Sequence, residues 1–482
     1  MKQKESSRRL FLKKATVLST VAGTFPSILT AARPGAVENA ALRQTNANER
    51  VNLACIGCGN RGAEIINEFN KTGLANVVAL CDVDMGAPHT VKTLEKFPQA
   101  KRFQDFRVMF DQMGNEIDAV CAGIPDFAHF PVAMLSMSLG KHIYVEKPMT
   151  RTFYEAELMI QAAKKYKQVV TQVGNQGHSE ANYFQFKAWK DAGIIKDVYA
   201  VTAHMNGDRR WHPYDPAIRK FPDAQPVPAT MDWDTWLTTS MYHDFSDKFH
   251  YGNWRSWYDF GMGALGDWGA HILDTIHEFL ELGLPYEIEP LKLEGHNDYF
   301  FPKASTLLFR FPARKKMPPL DITWYDGVKN IPAVPEGYGT LDIDPNIPPV
   351  AGGKMQPTKL PPGKIIYSKD LTFKGGSHGS TLSIIPAEKA KAMESGLPEV
   401  PKSTSNHYAN FLLACQGKEK TRSPFEINGV LSQVFSLGVM AQRLNTKILF
   451  DRTSKTITNN AFANAWLTQA PPRKGWEQYY KM

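Results

Sequence analysis

Short apolar runs alternate with amphipathic stretches between residues 51 and 173. Apolar runs of about four to eight residues are typical of buried strands, and apolar residues spaced three or four apart are typical of helices. Because strands and helices alternate, the pattern predicts a parallel sheet covered on both faces, with ligands at the carboxyl ends of its strands. The predicted strands are 51–56, 76–81, 117–124, 141–145 and 169–173, and the predicted helices are 63–70, 130–139 and 152–166.

A glycine-rich turn follows the first predicted strand. Gly57, Gly59 and Gly62 form a GxGxxG pattern between that strand and a helical stretch. The first glycine allows a tight turn, the second lets the backbone approach a pyrophosphate, and the third lets the helix pack on the strand. Free N–H groups at the start of the helix then face the phosphates. The sequence therefore predicts a dinucleotide site, with Asn60 and Arg61 inside the same turn.

An acidic residue follows the second predicted strand. Asp82 lies twenty residues after Gly62, a spacing that suits hydrogen bonds from the hydroxyls of the adenosine ribose. Its carboxylate would repel a 2′-phosphate, and no Arg follows it closely. NAD is therefore the predicted cofactor, in preference to NADP.

Two further stretches carry residues suited to proton transfer. Lys147 follows the strand predicted at 141–145, where an amine can polarise a substrate hydroxyl. Asp267 and His271 lie four apart in a helical pattern that continues to Leu280, so they share one helix face. An imidazole beside a carboxylate can serve as a general base near neutral pH. Taken alone, the lysine is also explained by solvent exposure, and the pair by a helix cap and a polar interface.

Aromatic residues concentrate between residues 231 and 268, which hold five of the ten tryptophans. Aromatic faces suit the C–H faces of a pyranose ring, although a large aromatic core is the ordinary explanation for most of these rings. The mixed polar and aromatic stretch at 206–212 is expected to line the same pocket. The candidate substrate-binding residues are Asn206, Arg209, Trp211, His212, Arg255, Trp257 and Tyr258.

Composition and charge exclude several classes of protein. The chain has 482 residues, 43% hydrophobic and 22% charged, which is ordinary for a globular protein of two or three domains. Residues 1–40 hold seven Lys/Arg against two Asp/Glu, so they supply +5 of the net charge of +8 and leave +3 for the rest. This leaves no broad basic surface for nucleic acid. The five cysteines favour buried structural thiols over disulfides, and no metal site is predicted.

The amino terminus resembles a twin-arginine (Tat) export signal. Arg8 and Arg9 precede Phe-Leu-Lys and a moderately apolar stretch at 15–32. This pattern predicts a signal peptide at 1–32 and a polar linker at 33–49, with a basic, frayed terminus as the alternative. Because the Tat route carries folded proteins, the resemblance implies a periplasmic protein that binds its cofactor before export. No transmembrane span is expected after cleavage, since no later apolar run approaches about 20 residues.

Together the motifs resemble the Gfo/Idh/MocA oxidoreductases, a family named after glucose–fructose oxidoreductase and inositol dehydrogenase. The resemblance covers about residues 50–445 and is greatest to Tat-exported members found in bacterial sugar-degrading loci. It rests on GCGNRG at 57–62, Asp82, Pro125 with His129, EKP at 146–148, GNQGH at 174–178 and DWGAH at 267–271.

The resemblance implies an α/β fold. A Rossmann parallel-sheet domain at 50–175 would precede an α/β domain at 176–445 with an open, mostly antiparallel sheet. That sheet often carries an oligomer contact in the family, so a homo-oligomer is expected. A Pro/Gly-rich insertion at 332–363 departs from the family pattern and is expected to be extended. A late helix is predicted at 424–444, and 446–482 would form a C-terminal extension.

The resemblance also implies hydride transfer between a sugar carbon and nicotinamide. His271 would take or return the hydroxyl proton, Asp267 would orient the imidazole, and Lys147 would stabilise the developing alkoxide. The implied cofactor-binding residues are Gly57, Gly59, Asn60, Arg61, Gly62, Asp82, Pro125, His129, Glu146, Lys147 and Asn175.

Three functions follow as hypotheses. The leading one is a periplasmic, NAD-dependent oxidoreductase that acts on a hydroxyl of a sugar or glycoside. The alternative is an NAD-dependent glycosidase or lyase that works through a transient 3-keto sugar without net redox change. That reaction needs an acid–base residue near C2, for which His212 and Tyr258 are candidates. The third is a non-catalytic sugar-binding scaffold, against which the presence of Lys147 and His271 argues.

Overall fold

A computed structural model describes residues 50–205, 215–338, 360–468 and 473–481 of the chain. The first part of the chain builds a six-stranded sheet in which every neighbouring pair is parallel. Its strands are β1 (Val51–Ile56), β2 (Ala75–Cys81), β3 (Lys101–Phe103), β4 (Ala119–Ala122), β5 (His142–Val145) and β6 (Thr171–Val173). Their spatial order is β3-β2-β1-β4-β5-β6, so the order reverses between β1 and β4. A crevice at the carboxyl ends of these two strands is the usual ligand site of such a sheet.

Five helices cover this sheet, and the predicted parallel-sheet domain is confirmed. They are α1 (Arg61–Lys71), α2 (Pro88–Lys96), α3 (Phe106–Met113), α4 (His129–Ser138) and α5 (Phe153–Lys165). Helix α5 begins at a side-chain N-cap: the hydroxyl of Thr152 accepts the N–H of Glu155 and also donates to its carboxylate. The sequence pattern missed α2, β3 and α3.

The second sheet has nine strands. They are β7 (Val198–Met205), β8 (Glu287–Glu294), β9 (Ala304–Phe311), β10 (Leu320–Asp326), β11 (Gly363–Ser368), β12 (Thr372–Gly376), β13 (Leu382–Ile385), β14 (Ile448–Asp451) and β15 (Thr456–Ile457). Their order is β13-β12-β11-β7-β10-β9-β8-β14-β15. Only β7 and β10 run parallel, and the other neighbouring pairs are antiparallel. The expected open, mostly antiparallel sheet is confirmed.

The remaining helices lie after β6. They are α6 (Ala181–Asp191), α7 (Trp233–Leu237), α8 (Gly263–Ile272), α9 (Asp274–Phe279), α10 (Ala387–Met393), α11 (His407–Cys415), α12 (Phe425–Leu444) and α13 (Ala461–Thr468). Helices α8 and α12 form the core of the second sheet together with Phe309 and Trp324. Gly438 on α12 lies so close to the ring of Phe309 that a Cβ would have no room. The late helix predicted at 424–444 is confirmed.

The single helix predicted to run through Leu280 was wrong, because the chain breaks between α8 and α9. Two side chains satisfy the backbone groups freed at the break. The ammonium of Lys364 donates to the carbonyl of Ile272 at 2.9 Å, and the carboxylate of Asp274 accepts the N–H of Thr275 at 2.7 Å. Helix ends persist where such partners are available.

The aromatic stretch at 231–268 mainly forms a core, as the ordinary explanation held. Trp233, Trp236, Trp254, Trp257 and Phe260 are buried together. Trp233 and Trp236 stack at a centroid distance of 4.4 Å, and Trp257 packs edge-on against its aromatic neighbours. The segment is therefore rigid enough to position the residues that it carries toward the crevice.

The chain returns to the parallel sheet twice after leaving it. Helix α11 brings Tyr408 and Phe411 against Phe69, and Trp476 near the carboxyl terminus packs against Phe106. The extension at 446–482 therefore contributes β14 and β15 to the second sheet and residues 473–481 to the first domain. No helix within the described ranges is long and apolar enough to cross a bilayer.

Several predicted segments fall partly or wholly outside the described residues. These are the signal peptide at 1–32, the linker at 33–49, and residues 339–359 of the insertion at 332–363. Residues 332–338 of the insertion are described and form neither helix nor strand.

Candidate active site

A cleft of about 970 Å³ opens at the carboxyl ends of β1 and β4. The glycine turn after β1, the end of β5 and helix α8 all contribute to its walls. Residues 235–255, which precede α8, contribute further lining residues, and so does the loop after β12. The cleft thus joins the two predicted sets of functional residues, the dinucleotide turn and the acid–base groups.

The glycine turn is formed by close backbone packing. Gly57 has a φ of +85°, and a Cβ built there would lie 2.5 Å from the carbonyl oxygen of Gly123. A Cβ on Gly62 would overlap the carbonyl of Gly57, and one on Gly59 would overlap the ring of His89. At Gly57 and Gly62 the contacts are with backbone, so only glycine fits, whereas at Gly59 the contact is with the side chain of His89.

Asp82 occupies the end of β2, as predicted, and lines the cleft. Its carboxylate accepts the backbone N–H groups of Cys58 at 2.7 Å and Asp84 at 3.0 Å. Burial raises the pKa of Asp82, and these two N–H donors oppose the rise. The side chain is therefore held at the glycine turn, where a ribose hydroxyl would meet it.

A strap, residues 228–255, crosses this end of the cleft. The hydroxyl of Thr230 donates to Asp84 at 2.7 Å, and the N–H of Asp232 donates to the carbonyl of Val83 at 2.8 Å. Farther along the strap, Tyr251 donates to Asp84 at 3.4 Å. These bonds attach the strap to the loop after β2, next to Asp82.

Arg61 forms a second polar group in the wall of the cleft. It donates to Glu146 at 3.0 Å and to the hydroxyl of Tyr408 at 3.1 Å. Glu146 also accepts from Gln176 at 3.2 Å. The network fixes a cation at the start of α1, beside the turn that would receive phosphates.

Lys147 and Asp267 form a buried ion pair. The ammonium donates to the Oδ1 atom and to the backbone carbonyl of Asp267, both at 2.8 Å, and the side chains are 11% and 7% exposed. Arg255 lies 3.6 Å from the same carboxylate and 3.8 Å from Asp126. Burial raises the pKa of Asp126 to about 7, against the opposing charge of Arg255. Lys147, Asp267 and Arg255 thus line the cleft as neighbouring charges of opposite sign, and the buried Asp126 lies next to Arg255.

His271 lies one turn along α8 from Asp267 and also lines the cleft. Burial, followed by the charge of Lys147, holds its pKa well below the ordinary value. Its Nδ1 has no hydrogen-bond partner among the described residues. A neutral imidazole in this place can accept a proton. That Asp267 orients this ring stays a prediction. The sequence did not predict the hydrogen bond from Lys147 to Asp267.

Other predicted cofactor residues take different places. Pro125 lines the cleft, but His129 and Asn175 are buried behind it. His129 approaches the carbonyl of Pro148 at 3.1 Å, and burial lowers its pKa to about 4. Asn175 donates to the carbonyl of Ala270 at 3.0 Å. These bonds link His129 to the segment after β5 and Asn175 to α8, and the contact of either residue with a cofactor stays a prediction.

The predicted substrate residues divide into three groups. Arg255 lines the cleft. Trp257 and Tyr258 are each 1% exposed and are absent from the cleft wall, because their rings pack in the aromatic core. Asn206, Arg209, Trp211 and His212 lie outside the described residues.

Sequence reasoning missed three residues at the site. Asp126 follows Pro125 after the carboxyl end of β4. Ligand sites lie at the carboxyl ends of parallel strands, so this position was a signal for Asp126. His378 lies in the Gly-Gly-Ser-His-Gly-Ser stretch after β12, where the glycines were a signal of a tight loop. Tyr408 reaches Arg61 from 347 positions away, and no local pattern indicates such a contact.

The residues of the cleft fit a dinucleotide. The glycine turn exposes backbone where a side chain would fill the space, Asp82 offers carboxylate oxygens beside it, and Arg61 supplies a cation. Lys147 and His271 line the same cleft. Fold and site together define a Rossmann-type, nucleotide-binding oxidoreductase scaffold.

Comparison with known families assigns the chain more closely. Residues 51–174 match the model described as "Oxidoreductase family, NAD-binding Rossmann fold", and residues 189–299 match its "C-terminal alpha/beta domain". The chain is a member of the Gfo/Idh/MocA family, and its first domain is an NAD-binding domain.

Individual relatives are distant. A glycosyl hydrolase family 109 protein from Streptomyces niveus is 26% identical over 210 residues, which is 42% of this chain and 41% of that protein. An inositol 2-dehydrogenase from Salmonella typhimurium is 26% identical over 29% of this chain and 41% of its own length. The matched segments thus span well under two thirds of either relative. The WlbA dehydrogenase from Bordetella pertussis, solved in complex with NADH and UDP-GlcNAcA, shares the fold at 14% identity. Its TM-score is 0.52, with 84% of this chain and 99% of that chain covered.

Proposed function

We propose that the protein is an NAD-dependent oxidoreductase acting on a hydroxyl group of a sugar or glycoside. The observation that carries the proposal is that Lys147, Asp267 and His271 line the same cleft as the glycine turn. The relatives named inositol 2-dehydrogenase support a polyhydroxylated substrate.

The side chains of the cleft perform the proton chemistry. When bound, the nicotinamide ring takes or returns a hydride. Lys147, held by Asp267, places its ammonium where it stabilises negative charge on the substrate oxygen. His271, which is neutral because of burial, takes the hydroxyl proton on a ring nitrogen. A positioned base of this kind contributes about 10²–10⁴-fold to the rate.

Asp82 supports NAD over NADP. Its carboxylate is held by two backbone N–H groups at the ribose end of the cleft. A 2′-phosphate placed there would meet a negative charge, whereas ribose hydroxyls would find an acceptor. Identification of the nucleotide released from the denatured protein tests this preference.

One observation favours a second candidate function. The chain is similar to several proteins named glycosyl hydrolase family 109. An NAD-dependent glycosidase or lyase would oxidise the sugar transiently and return the hydride, so free aglycone would appear without accumulated keto sugar. Accumulation of a keto sugar in equal amount to reduced nucleotide would instead support the net oxidoreductase.

The direct test uses purified protein and a panel of methyl glycosides. We expect protein-bound nicotinamide to become reduced, as followed by its absorbance, and Lys147→Ala to lose that signal while keeping the nucleotide. Normal reduction in both Lys147→Ala and His271→Ala would contradict the assignment of the site. Ser380→Ala, outside the cleft wall, serves as the matched control.

Export and assembly are further parts of the proposal. The twin arginines Arg8 and Arg9 support export by the Tat route to the periplasm. Replacing both with lysine and fractionating the cells tests this, since retention in the cytoplasm is expected.

The neighbouring strands β11, β7 and β10 carry Tyr367, Tyr199 and Tyr325, of which Tyr199 is 52% exposed. These tyrosines support a homo-oligomer that forms through the second sheet. A monomeric mass in light scattering would contradict the proposed homo-oligomer.

A further inference from the structure

Two imidazole rings stack inside the cleft. The rings of His271 and His378 have centroids 3.9 Å apart and planes inclined by 17°. The backbone N–H of His378 also donates to the carbonyl of His271 at 3.0 Å. His378 therefore occupies a fixed place beside the proposed base, and the mechanism above gives it no role.

The loop around His378 is built to hold the ring there. His378 has a φ of +53°, in the left-handed region that few non-glycine residues adopt. Gly379 packs so closely on Glu180 that a Cβ would overlap it. The hydroxyl of Ser377 lies 3.0 Å from Nδ1 of His378. Unusual backbone of this kind persists where the surrounding structure enforces it, often at functional sites.

The exposure of His378 distinguishes it from a packing residue. His271 is 5% exposed, whereas His378 is an exposed side chain that lines the cleft. Burial and then the charge of Lys147 lower the pKa of His378, so its ring is neutral near pH 7 and can accept a proton. Both imidazoles thus line the same cleft.

We propose that His378 is a second acid–base residue of the cleft, acting on the substrate carbon next to the one that is oxidised. The proposal rests on the proposed function, since that function forms the carbonyl. The centroids of the two rings are 3.9 Å apart, a spacing that suits action on neighbouring carbons of one sugar ring. His378 replaces Tyr258, which the aromatic core buries, as the candidate for this role.

The step is balanced without another oxidant. Once bound NAD has accepted the hydride and His271 the hydroxyl proton, the new carbonyl acidifies the C–H bond of its neighbour. His378 takes that proton on a ring nitrogen, and the electron pair of the C–H bond forms an enolate. In D₂O the imidazolium exchanges its proton with solvent and returns deuterium to the same carbon. Return of the hydride then regenerates the sugar with one C–H bond replaced by C–D.

The test measures this exchange and nucleotide reduction separately. Purified holoprotein is incubated in D₂O with methyl glycosides of glucose, galactose and N-acetylglucosamine. Deuterium in the recovered glycoside is measured by mass spectrometry, and bound reduced nicotinamide by absorbance. His378→Phe keeps a flat ring against His271 but has no ring nitrogen. Ser380→Ala changes the same loop, where the Ser380 hydroxyl accepts the N–H of Gly376 at 3.3 Å.

We expect His378→Phe to lower the exchange rate by about 100-fold or more relative to its own rate of reduction. Ser380→Ala is expected to leave both signals at the wild-type level. If exchange in His378→Phe falls no further than reduction does, the ring only positions His271 and the inference is wrong. Reduction without exchange in the wild-type protein overturns this inference alone. Absence of reduction with every glycoside contradicts the proposed function itself.

Discussion

The two ends of the cleft are built in different ways. At the glycine-turn end, the backbone turn from Gly57 to Gly62 comes from one continuous stretch, with Asp82 following the next strand. The acid–base end combines Lys147, His271 and His378 from three separate segments, and its surface is side chains. Backbone geometry is specified by glycines at fixed spacing, whereas side-chain geometry depends on how distant elements pack. Nucleotide binding and chemistry are therefore expected to respond to different mutations.

The largest effect is expected at the acid–base end. His271→Ala removes the proposed base, so reduction of bound nicotinamide by a glycoside should fall by about 10²–10⁴-fold. The glycine turn is untouched, so the nucleotide content of the purified variant should equal that of wild type. Stopped-flow absorbance gives the rate, and acid release of the nucleotide gives the content. If His271→Ala lost both the reduction rate and the nucleotide content, the two ends of the cleft would not act separately.

The converse change is Gly62→Ala. A Cβ there overlaps the carbonyl of Gly57 and displaces α1 from β1. We expect loss of bound nucleotide and a fall of about 1–3 kcal/mol in the free energy of unfolding, measured by urea denaturation. Gly396→Ala is the matched control, because nothing lies within 4 Å of its added Cβ, and it should change stability by about 0.5 kcal/mol or less. Full nucleotide content in Gly62→Ala would contradict the assigned role of the turn.

A titration sharpens the account of the acid–base end. Burial and the charge of Lys147 hold the pKa of His271 below its ordinary value. Lys147→Met removes that charge, so the pKa of His271 should rise toward the ordinary value, as read from its imidazole NMR signal. A histidine whose pKa is lowered by folding binds fewer protons when folded. The free energy of unfolding therefore decreases as the pH falls below the pKa that His271 has in the unfolded chain. In Lys147→Met this decrease should be smaller. An unchanged or lower pKa would show that Lys147 does not act on His271.

The smallest effect is expected from the strap. Tyr251→Phe removes one hydrogen bond of 3.4 Å to Asp84 from a side chain that is 56% exposed. A hydrogen bond of this kind contributes about 0.5–1 kcal/mol. The bound nucleotide should therefore dissociate about two- to fivefold faster, as measured by its rate of release from the protein. Tyr242→Phe is the control, since Tyr242 is equally exposed on the strap but bonds to Asp244 away from the cleft wall. Equal release rates in both variants would show that the bond from Tyr251 to Asp84 does not help to retain the nucleotide.

The same contrast explains how far the sequence predicted the molecule. The parallel sheet, the glycine turn and Asp82 each follow from a local pattern, and the structure has them close to the predicted positions. Local patterns did not predict that Trp257 and Tyr258 belong to the core, because an aromatic side chain suits a core and a sugar pocket equally. Nor did they reveal His378, which the loop after β12 brings against His271 on α8. Contacts between distant segments depend on the tertiary fold, so spacing alone cannot specify them.

One labelling measurement tests the central claim most directly. The protein with its native nucleotide is mixed with methyl glucoside and methyl galactoside that carry deuterium at every ring carbon, and the nucleotide is then released and weighed by mass spectrometry. We expect reduced nicotinamide carrying deuterium from a sugar carbon in wild type, and labelling slower by about 10²–10⁴-fold in His271→Ala. Reduced nicotinamide without deuterium, or labelling that persists undiminished in His271→Ala, would contradict this claim.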